Sequence, residues 1–346
     1  MHLVPTLMEQ KVAVIFLTAT LPVRLEELFR KAVNLPANHN LIRAQTNRPE
    51  SVYIVKPFQA SPPGEGVEQV GARLAAKLAE LLEGEDRAII FVRKKDHGDE
   101  IARRLYGCPF ISSDMTDEKA RTEAMKQWEN GTTGGLLVGT SSLIQGLHYD
   151  HVRYVIFVGA PWGLIDLVQG AGRGGRDGKR AEVVVINCFD KSPNDPTPDD
   201  PQCEGEMGRW LIAQHCRREL ISSTMDAVQV TCQSLEGALP CDNCQSRHPE
   251  VDNAWAYATS ATTSATSKNT SLSAPPHTLQ QQEDTTQLAL PTLRPQAPKA
   301  QVIDHSVITT ADRELLHSRT RSVFNSIVAT SPTCAICWFL NLRDVL

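Results

Sequence analysis

The sequence predicts an α/β fold: a parallel sheet with helices on both faces, then a small helical module with clustered cysteines and a mostly disordered tail. The prediction depends on two observations. Short apolar runs typical of strands covered on both faces, beginning with 12–17 (VAVIFL), alternate with amphipathic helical stretches. Beyond a linker rich in Pro and Asp (192–202), cysteines cluster, and from Trp255 Ser, Thr, Ala, Pro and Gln dominate without periodicity.

Each element follows from its local pattern. Apolar runs predict strands at 12–17, 51–55, 88–92, 109–111, 135–138, 152–158 and 182–186. Apolar residues at helical spacing predict helices at 22–33, 67–82, 96–105, 116–128 with Thr116 as the cap, a helix carrying Arg173 and Arg176, and a last one at 306–326.

Composition limits the function classes. A net charge of −5 provides no overall attraction to nucleic acid, so DNA contacts need local patches such as Arg93–Lys95 or Arg217–Arg218. We expect no membrane association, because no apolar run is long enough to cross a bilayer and the N-terminus lacks secretory features. The nine cysteines indicate reduced thiols or metal ligands.

The most informative stretch is Gln169–Gly178, which carries Arg173 and Arg176 among glycines. On one helical turn, two guanidiniums three residues apart project from the same side. Glycine removes side-chain bulk beside a ligand, and a planar charged fork suits phosphate oxygens. The stretch predicts a phosphate site at an open face; the alternative is a solvated loop with incidental charge.

The cysteines predict a structural zinc site. A Cys-x-x-Cys pair with two further thiolates supplies the tetrahedral ligand set that zinc prefers. The predicted ligands are Cys216, Cys232, Cys241 and Cys244, with His248 as a fallback. The alternative is a set of scattered buried cysteines. Cys334 and Cys337 provide only half of a second site.

These segments resemble RecQ-type DNA helicases of fungi. Gln169–Gly178 resembles motif VI, and other segments resemble motif III (17–20), the beginning of the second lobe (47–55), motif IV (88–94) and motif V (139–156), in the family's order. The module that opens with Cys216-Arg217-Arg218 resembles the family's zinc-binding subdomain. The resemblance implies the end of a first RecA-like lobe with a linker (1–45), a second RecA-like lobe (46–191), a zinc module (203–250) and a mostly disordered tail (251–346).

The resemblance also implies roles. Arg176 is expected to be an arginine finger on the γ-phosphate, Arg173 its γ-phosphate or interlobe partner, and Gln169 a nucleotide sensor, with Gly146 also at the nucleotide. DNA, single-stranded or at a duplex junction, is expected to contact residues of motifs III, IV and V: Thr18, Thr20, Arg93, Thr140 and Ser141. ATP with Mg²⁺ is expected only where a first lobe, possibly in trans, is present. The family implies the nucleus as the location.

The sequence also departs from the family. It contains no G-x-x-x-x-G-K-[ST] and no Asp-Glu-x-His box, which implies that nearly the whole first lobe is absent. Gly170 and His148 stand where motifs VI and V usually carry Glu and Asp. Whether the chain is an enzyme is therefore open between an ATP-dependent 3′–5′ helicase fragment and a non-catalytic DNA- or partner-binding remnant. A DEAD-box RNA helicase is disfavoured, because its motif VI begins His-Arg and it lacks the zinc module.

Overall fold

The computed structural model of the protein describes residues 15–35, 39, 41–58, 64–140, 147–188, 200–245 and 248–260. Within these residues, six strands form one sheet in the order β1-β6-β5-β2-β4-β3, and every neighbouring pair is parallel. The strands are β1 (Ser51–Pro57), β2 (Arg87–Val92), β3 (Phe110–Ile111), β4 (Leu136–Gly139), β5 (Val152–Val158) and β6 (Ala181–Asn187). The predicted α/β fold with a RecA-like parallel sheet is confirmed.

Helices cover both faces of the sheet. They are α1 (Glu26–Ala32), which follows a 3₁₀ turn at Val23–Leu25, then α2 (Val67–Ala79), α3 (Lys95–Arg104), α4 (Glu118–Glu129), α5 (Leu164–Ala171), α6 (Glu204–Ile212), α7 (Arg217–Asp226) and α8 (Pro249–Thr259). On one face α2, α3 and α8 bury apolar side chains such as Leu74, Ile101 and Val251. On the other face α4 to α7 bury Trp128, Leu167 and Trp210.

The cysteine-bearing module shares a core with the sheet. Trp210 of α6 packs edge-on against Tyr53 of β1, with ring centroids 6.1 Å apart. Ile221 and Met225 of α7 are fully buried in the same apolar cluster as the strand residues. Residues 203–245 therefore share the core of the sheet, whereas the sequence predicted a separate module.

Two predictions near element ends differ from the structure. The strand predicted at 12–17 is wrong where it is described, because residues 15–17 pair with neither edge of the sheet; residues 12–14 lie outside the described residues. Thr116 does not cap α4. Asp117 caps it, because its carboxylate accepts the backbone N–H of Lys119 at 2.9 Å.

The folded region also continues beyond the predicted boundary at 251. In α8, Val251, Ala254 and Ala258 are buried at helical spacing in the core that α2 lines. The disorder expected from Trp255 is therefore wrong as far as residue 260. The rest of the predicted tail, with the helix at 306–326 and the pair Cys334 and Cys337, lies outside the described residues. No helix in the described part of the chain has the length and apolar character needed to span a membrane.

Candidate functional site

The arginines of the Gln169–Gly178 stretch lie in a turn, so their predicted place on a helix is wrong. Helix α5 ends at Ala171, before Gly172, Gly174 and Gly175. Gly175 has a φ of +61°, and a Cβ built on it would lie 2.5 Å from the carbonyl oxygen of Lys179. Only glycine adopts this conformation in this space without strain. The glycines thus shape the turn that carries both arginines; we name residues 172–179 the arginine turn.

Both guanidiniums converge on one carbonyl of motif V. Nη1 of Arg173 donates to the carbonyl oxygen of Leu147, and Nη1 of Arg176 donates to the same oxygen at 3.3 Å. Arg173 is only 7% exposed, so the expectation that both arginines project from an open face is wrong for Arg173. Arg176 remains partly exposed and donates to Nδ1 of His148 at 2.7 Å.

Arg48, just before β1, holds the arginine turn in place. Its guanidinium donates to the carbonyl oxygens of Gly172 (3.2 Å), Gly174 (3.0 Å) and Gly175 (2.8 Å), and it forms an ion pair with Glu50. This positioning role was not predicted. The sequence analysis used the Asn47-Arg48-Pro49 segment only to place the beginning of the lobe. It gave no indication that Arg48 contacts residues 124 to 127 positions further along the chain.

Asp177 anchors the far end of the arginine turn. Its two carboxylate oxygens accept Nη1 and Nη2 of Arg153 at 2.9 and 2.5 Å, and one lies 3.2 Å from Nδ1 of His151. The Arg153 guanidinium holds the pKa of the Asp177 carboxyl well below its usual range. Asp177 is therefore ionised and bonded at neutral pH, a role that the sequence analysis missed.

A hydrogen bond joins two predicted site residues from different motifs. Nε2 of Gln169 donates to the hydroxyl of Thr20 at 2.8 Å, although the residues are 149 positions apart. The hydroxyl of Thr18, in turn, accepts the backbone N–H of Thr20 at 3.2 Å. Gln169 was predicted to sense nucleotide and Thr20 to contact DNA. Their bond physically couples the motif III segment to motif VI.

The two departures from the family pattern have structural explanations. A Cβ on Gly170 would lie 2.6 Å from Cζ of Phe157, so the stacked rings of Phe157 and Phe91 occupy the space that a larger side chain would need. His148 accepts the hydrogen bond from Arg176, which requires an unprotonated Nδ1. In its neutral form His148 is therefore an acceptor for the arginine, as a carboxylate would be.

The predicted DNA contacts lie in different environments. Arg93 stacks its guanidinium on the ring of Trp162, with 3.7 Å to the centroid. Thr140 is 8% exposed, and its backbone N–H donates to the carbonyl oxygen of Ile111 at 3.2 Å. Burial leaves little of Thr140 to contact a nucleic acid. Ser141 and Gly146 lie outside the described residues.

The structure brings the four predicted metal ligands together. The sulfur atoms of Cys216, Cys232, Cys241 and Cys244 all lie within 4.8 Å of one another, and those of Cys216 and Cys232 are 3.6 Å apart. Tetrahedral zinc with Zn–S bonds of about 2.3 Å separates its sulfurs by roughly 3.8 Å. The group is compatible with a structural Zn²⁺, and four sulfurs complete the set without His248.

Hydrogen bonds orient the sulfurs of this cluster. The backbone N–H groups of Cys232, Cys241 and Arg217 donate to the sulfurs of Cys216, Cys232 and Cys241 at 3.3, 3.3 and 3.4 Å. Hydrogen bonds from the Cys232 and Cys241 thiols lower the pKa of Cys216, while burial raises the pKa of Cys244 to about 12. Four thiolates this close repel one another, and a divalent cation relieves that repulsion.

The arginines that follow Cys216 are structural, so the basic patch predicted at Arg217–Arg218 is wrong. Arg217 is 5% exposed and pairs with both carboxylate oxygens of Asp242 at 2.8 and 3.0 Å. Asp242 also accepts the N–H of Val55 at 2.8 Å and donates its own N–H to the carbonyl oxygen of Tyr53 at 3.0 Å. The Cys241–Cys244 segment thereby covers the free edge of β1.

Comparison with known proteins finds a family match within the sheet domain. Residues 73–178 match the family described as the helicase conserved C-terminal domain. The match begins in α2 and ends in the arginine turn, so it includes Gln169, Arg173 and Arg176. Residues 73–178 therefore form a lobe of the helicase C-terminal type.

Two individual proteins illustrate the similarity. Over 124 residues the chain is 32% identical to a probable ATP-dependent RNA helicase, DDX4, of Pelophylax lessonae. The alignment covers 34% of this chain and 17% of that protein, so the chain spans only a small part of its length. Among solved structures, the chain is similar to the E. coli DEAD-box protein SrmB, whose crystal structure is bound to regulator of ribonuclease activity A. The sequence identity is 23% and the TM-score is 0.31, and the alignment covers 41% of this chain and 78% of that one.

Proposed function

We propose that this chain is the second lobe and zinc-binding module of an ATP-dependent 3′–5′ DNA helicase of the RecQ type. The observation that carries the proposal is the four-cysteine cluster directly after the helicase lobe, joined to it through Cys216-Arg217-Arg218. A lobe of this class followed by such a cluster matches the order in the RecQ family. A role in DNA recombination and repair, and a nuclear location, belong to the same proposal.

In the complete enzyme, Arg176 is the residue that would contact the γ-phosphate. ATP with Mg²⁺ supplies the phosphoryl group that is transferred to water. Arg176 suits this role because its guanidinium is partly exposed, whereas Arg173 is buried. Arg173 is better described as a positioning residue that shares the Leu147 carbonyl with Arg176. Gln169 links the site to the motif III segment through Thr20.

ATP hydrolysis also needs a phosphate-binding loop, and the 346 residues contain no G-x-x-x-x-G-K-[ST]. We therefore expect the chain alone to bind single-stranded DNA without releasing phosphate. A first lobe that carries the loop, in the same polypeptide or in trans, would supply the activity. In that assembly Arg176→Ala should reduce hydrolysis by about a thousandfold or more and leave DNA affinity nearly unchanged.

A binding measurement tests the DNA assignment. The chain is titrated with fluorescein-labelled DNA and RNA strands of the same sequence, at several salt concentrations. The RecQ proposal predicts DNA binding that weakens as salt rises. Binding to RNA alone, or no binding to either strand, contradicts it.

An RNA helicase is the second candidate, favoured by the similarity to a probable ATP-dependent RNA helicase. This candidate predicts a preference for RNA that depends on the 2′-hydroxyl, which the same titration measures directly. The non-catalytic remnant is a third candidate, favoured by the missing phosphate-binding loop. It predicts no phosphate release even when a first lobe is added.

A further inference from the structure

A crevice lies at the carboxyl ends of β2 and β5, where the sheet changes its winding direction. The chain leaves β2 for α3, which packs on one face of the sheet, and leaves the adjacent β5 for α5, which packs on the other face. Because the two connections diverge, they leave an opening between the strand ends. Open α/β sheets bind ligands at such a switch point.

Aromatic and apolar groups line this crevice. Phe91 and Phe157 are stacked at its base with ring centroids 5.1 Å apart, and Pro161 and Trp162 form a wall. Asp166 contributes the acidic side chain of the lining, and burial raises the pKa of its carboxyl. Arg93 also lines the crevice, and its positive charge acts in the opposite direction by favouring the ionised form of Asp166.

Trp162 is held in place although its side chain faces solvent. It is 47% exposed, an unusual position for the largest apolar side chain. The guanidinium of Arg93 covers one ring face at 3.7 Å from the centroid. A Cβ on Gly163 would lie 1.9 Å from the carbonyl oxygen of Gln202, so the next residue is packed tightly as well.

Further positive charge follows Arg93 in the chain. Lys94 follows Arg93 at the end of β2 and is exposed, and Lys95 forms an ion pair with exposed Asp114. A fixed aromatic ring next to cationic side chains is the arrangement that binds unpaired bases and their phosphates. A duplex does not suit the site, because its bases are already stacked.

We infer that Trp162, backed by Arg93, is a stacking platform for an unpaired base of a single strand, with Lys94 binding the adjacent phosphate. This inference rests on the proposed function and specifies how the lobe holds its nucleic acid. The fixed ring lowers the entropy cost of binding, because Trp162 need not be ordered by the ligand.

The test compares a normal strand with one that has no bases. The full chain is titrated with fluorescein-labelled oligothymidylate and with an abasic oligonucleotide of the same length. The wild-type chain should bind oligothymidylate about tenfold more tightly than the abasic strand, because one stacked base is lost. In Trp162→Ala this preference should disappear, while Trp162→Phe should retain part of it.

Tyr257→Ala is the matched control. Tyr257 is 52% exposed and also lies against a cation, with Nζ of Lys77 4.3 Å from its ring centroid, but it belongs to α8. This variant should bind both strands as the wild type does. Thermal unfolding of each variant shows that the lobe remains folded.

The outcomes separate the two hypotheses. Equal wild-type binding to both strands, or an unchanged preference in Trp162→Ala, overturns the stacking platform and leaves the helicase assignment intact. No binding of the wild-type chain to DNA or RNA overturns the proposed function and the platform with it. Loss of the preference in Trp162→Ala but not in Tyr257→Ala supports the platform.

Discussion

Replacing Arg218 by Met tests whether the Cys-Arg-Arg segment is structural. Its side chain is fully buried, and its guanidinium donates to the carbonyl oxygens of Arg48 (2.6 Å), Pro49 (3.1 Å), Ser51 and Leu239 (3.1 Å). These carbonyls belong to the beginning of the lobe and to the loop that leads to Cys241. Met has a similar length without the charge or the donors, so the substitution removes these bonds with little change in volume.

The magnitude follows from these contacts. Each hydrogen bond from a charged donor contributes about 1.5–3 kcal/mol. Because three of the four carbonyls share the two N–H groups of Nη2, the guanidinium makes about three full bonds, which contribute roughly 4.5–9 kcal/mol. Relief from burying the charge offsets several kcal/mol of this sum. We therefore expect Arg218→Met to lower the free energy of unfolding by about 3–5 kcal/mol, a large fraction of the stability of a typical domain.

Two measurements check this expectation. Urea unfolding of the zinc-loaded chain measures the free energy of unfolding of Arg218→Met. The control is Arg103→Met, which removes a 72% exposed arginine and should change this free energy by at most about 0.5 kcal/mol. Salt-dependent binding of oligothymidylate measures phosphate contacts. If Arg218 contacted DNA, its loss would reduce the slope of log affinity against log salt by about 0.7 and leave stability nearly unchanged. That pair of results would refute the structural role.

Three further predictions concern the cysteine cluster and the arginine turn. Metal analysis of the purified chain should find zinc in the wild type and in Cys188→Ser, whose cysteine lies outside the cluster, but not in Cys244→Ser. Gly175→Ala should lower the free energy of unfolding by about 3 kcal/mol, because the new Cβ would meet a carbonyl oxygen. Gly84 has a φ of +55° and open space around it, so Gly84→Ala should lower the free energy of unfolding by only about 1 kcal/mol. Equal losses in the two variants would contradict the steric argument. Asp177→Asn should lower stability by about 2 kcal/mol at neutral pH. Because the pKa of Asp177 is lowered in the folded state, its contribution is present above about pH 4 and is lost as the pH falls, so urea unfolding should show the two proteins converging in acid.

The sequence predicted the sheet well, because buried parallel strands are apolar throughout. The strand predicted at 152–158 is β5 with the same ends. Helix α8 was missed because its composition, with Ala at 254, 256 and 258, resembles the tail that follows. Its signal was the helical spacing of Val251, Ala254 and Ala258, which becomes meaningful only when α2 is known to lie beside it.

The part of the candidate site that depends only on residue type and spacing, the cysteine cluster, was predictable from the sequence. Structural zinc needs four ligands, and a Cys-x-x-Cys pair supplies only two, so the sequence analysis required two further cysteines beside it. The structure places all four cysteines together. Burial was not predictable from local sequence. Arg173 and Arg176 are of the same type and three residues apart, yet one is buried and the other partly exposed. The difference arises because the helix ends at Ala171, so the two side chains leave a glycine-rich turn and do not share one helical face.

Three consecutive residues connect the cysteine module to the arginine turn. The backbone N–H of Thr46 donates to the carboxylate of Asp226 at the end of α7, and Nδ2 of Asn47 donates to the carbonyl oxygen of Arg218 near its beginning; both distances are 2.9 Å. Arg48 then donates to three carbonyls of the arginine turn. Helix α7 begins directly after Cys216 of the cysteine cluster. One short segment of backbone therefore contacts both the helix that follows the cysteine cluster and the arginine turn, so the two sites that the sequence predicts separately are physically connected.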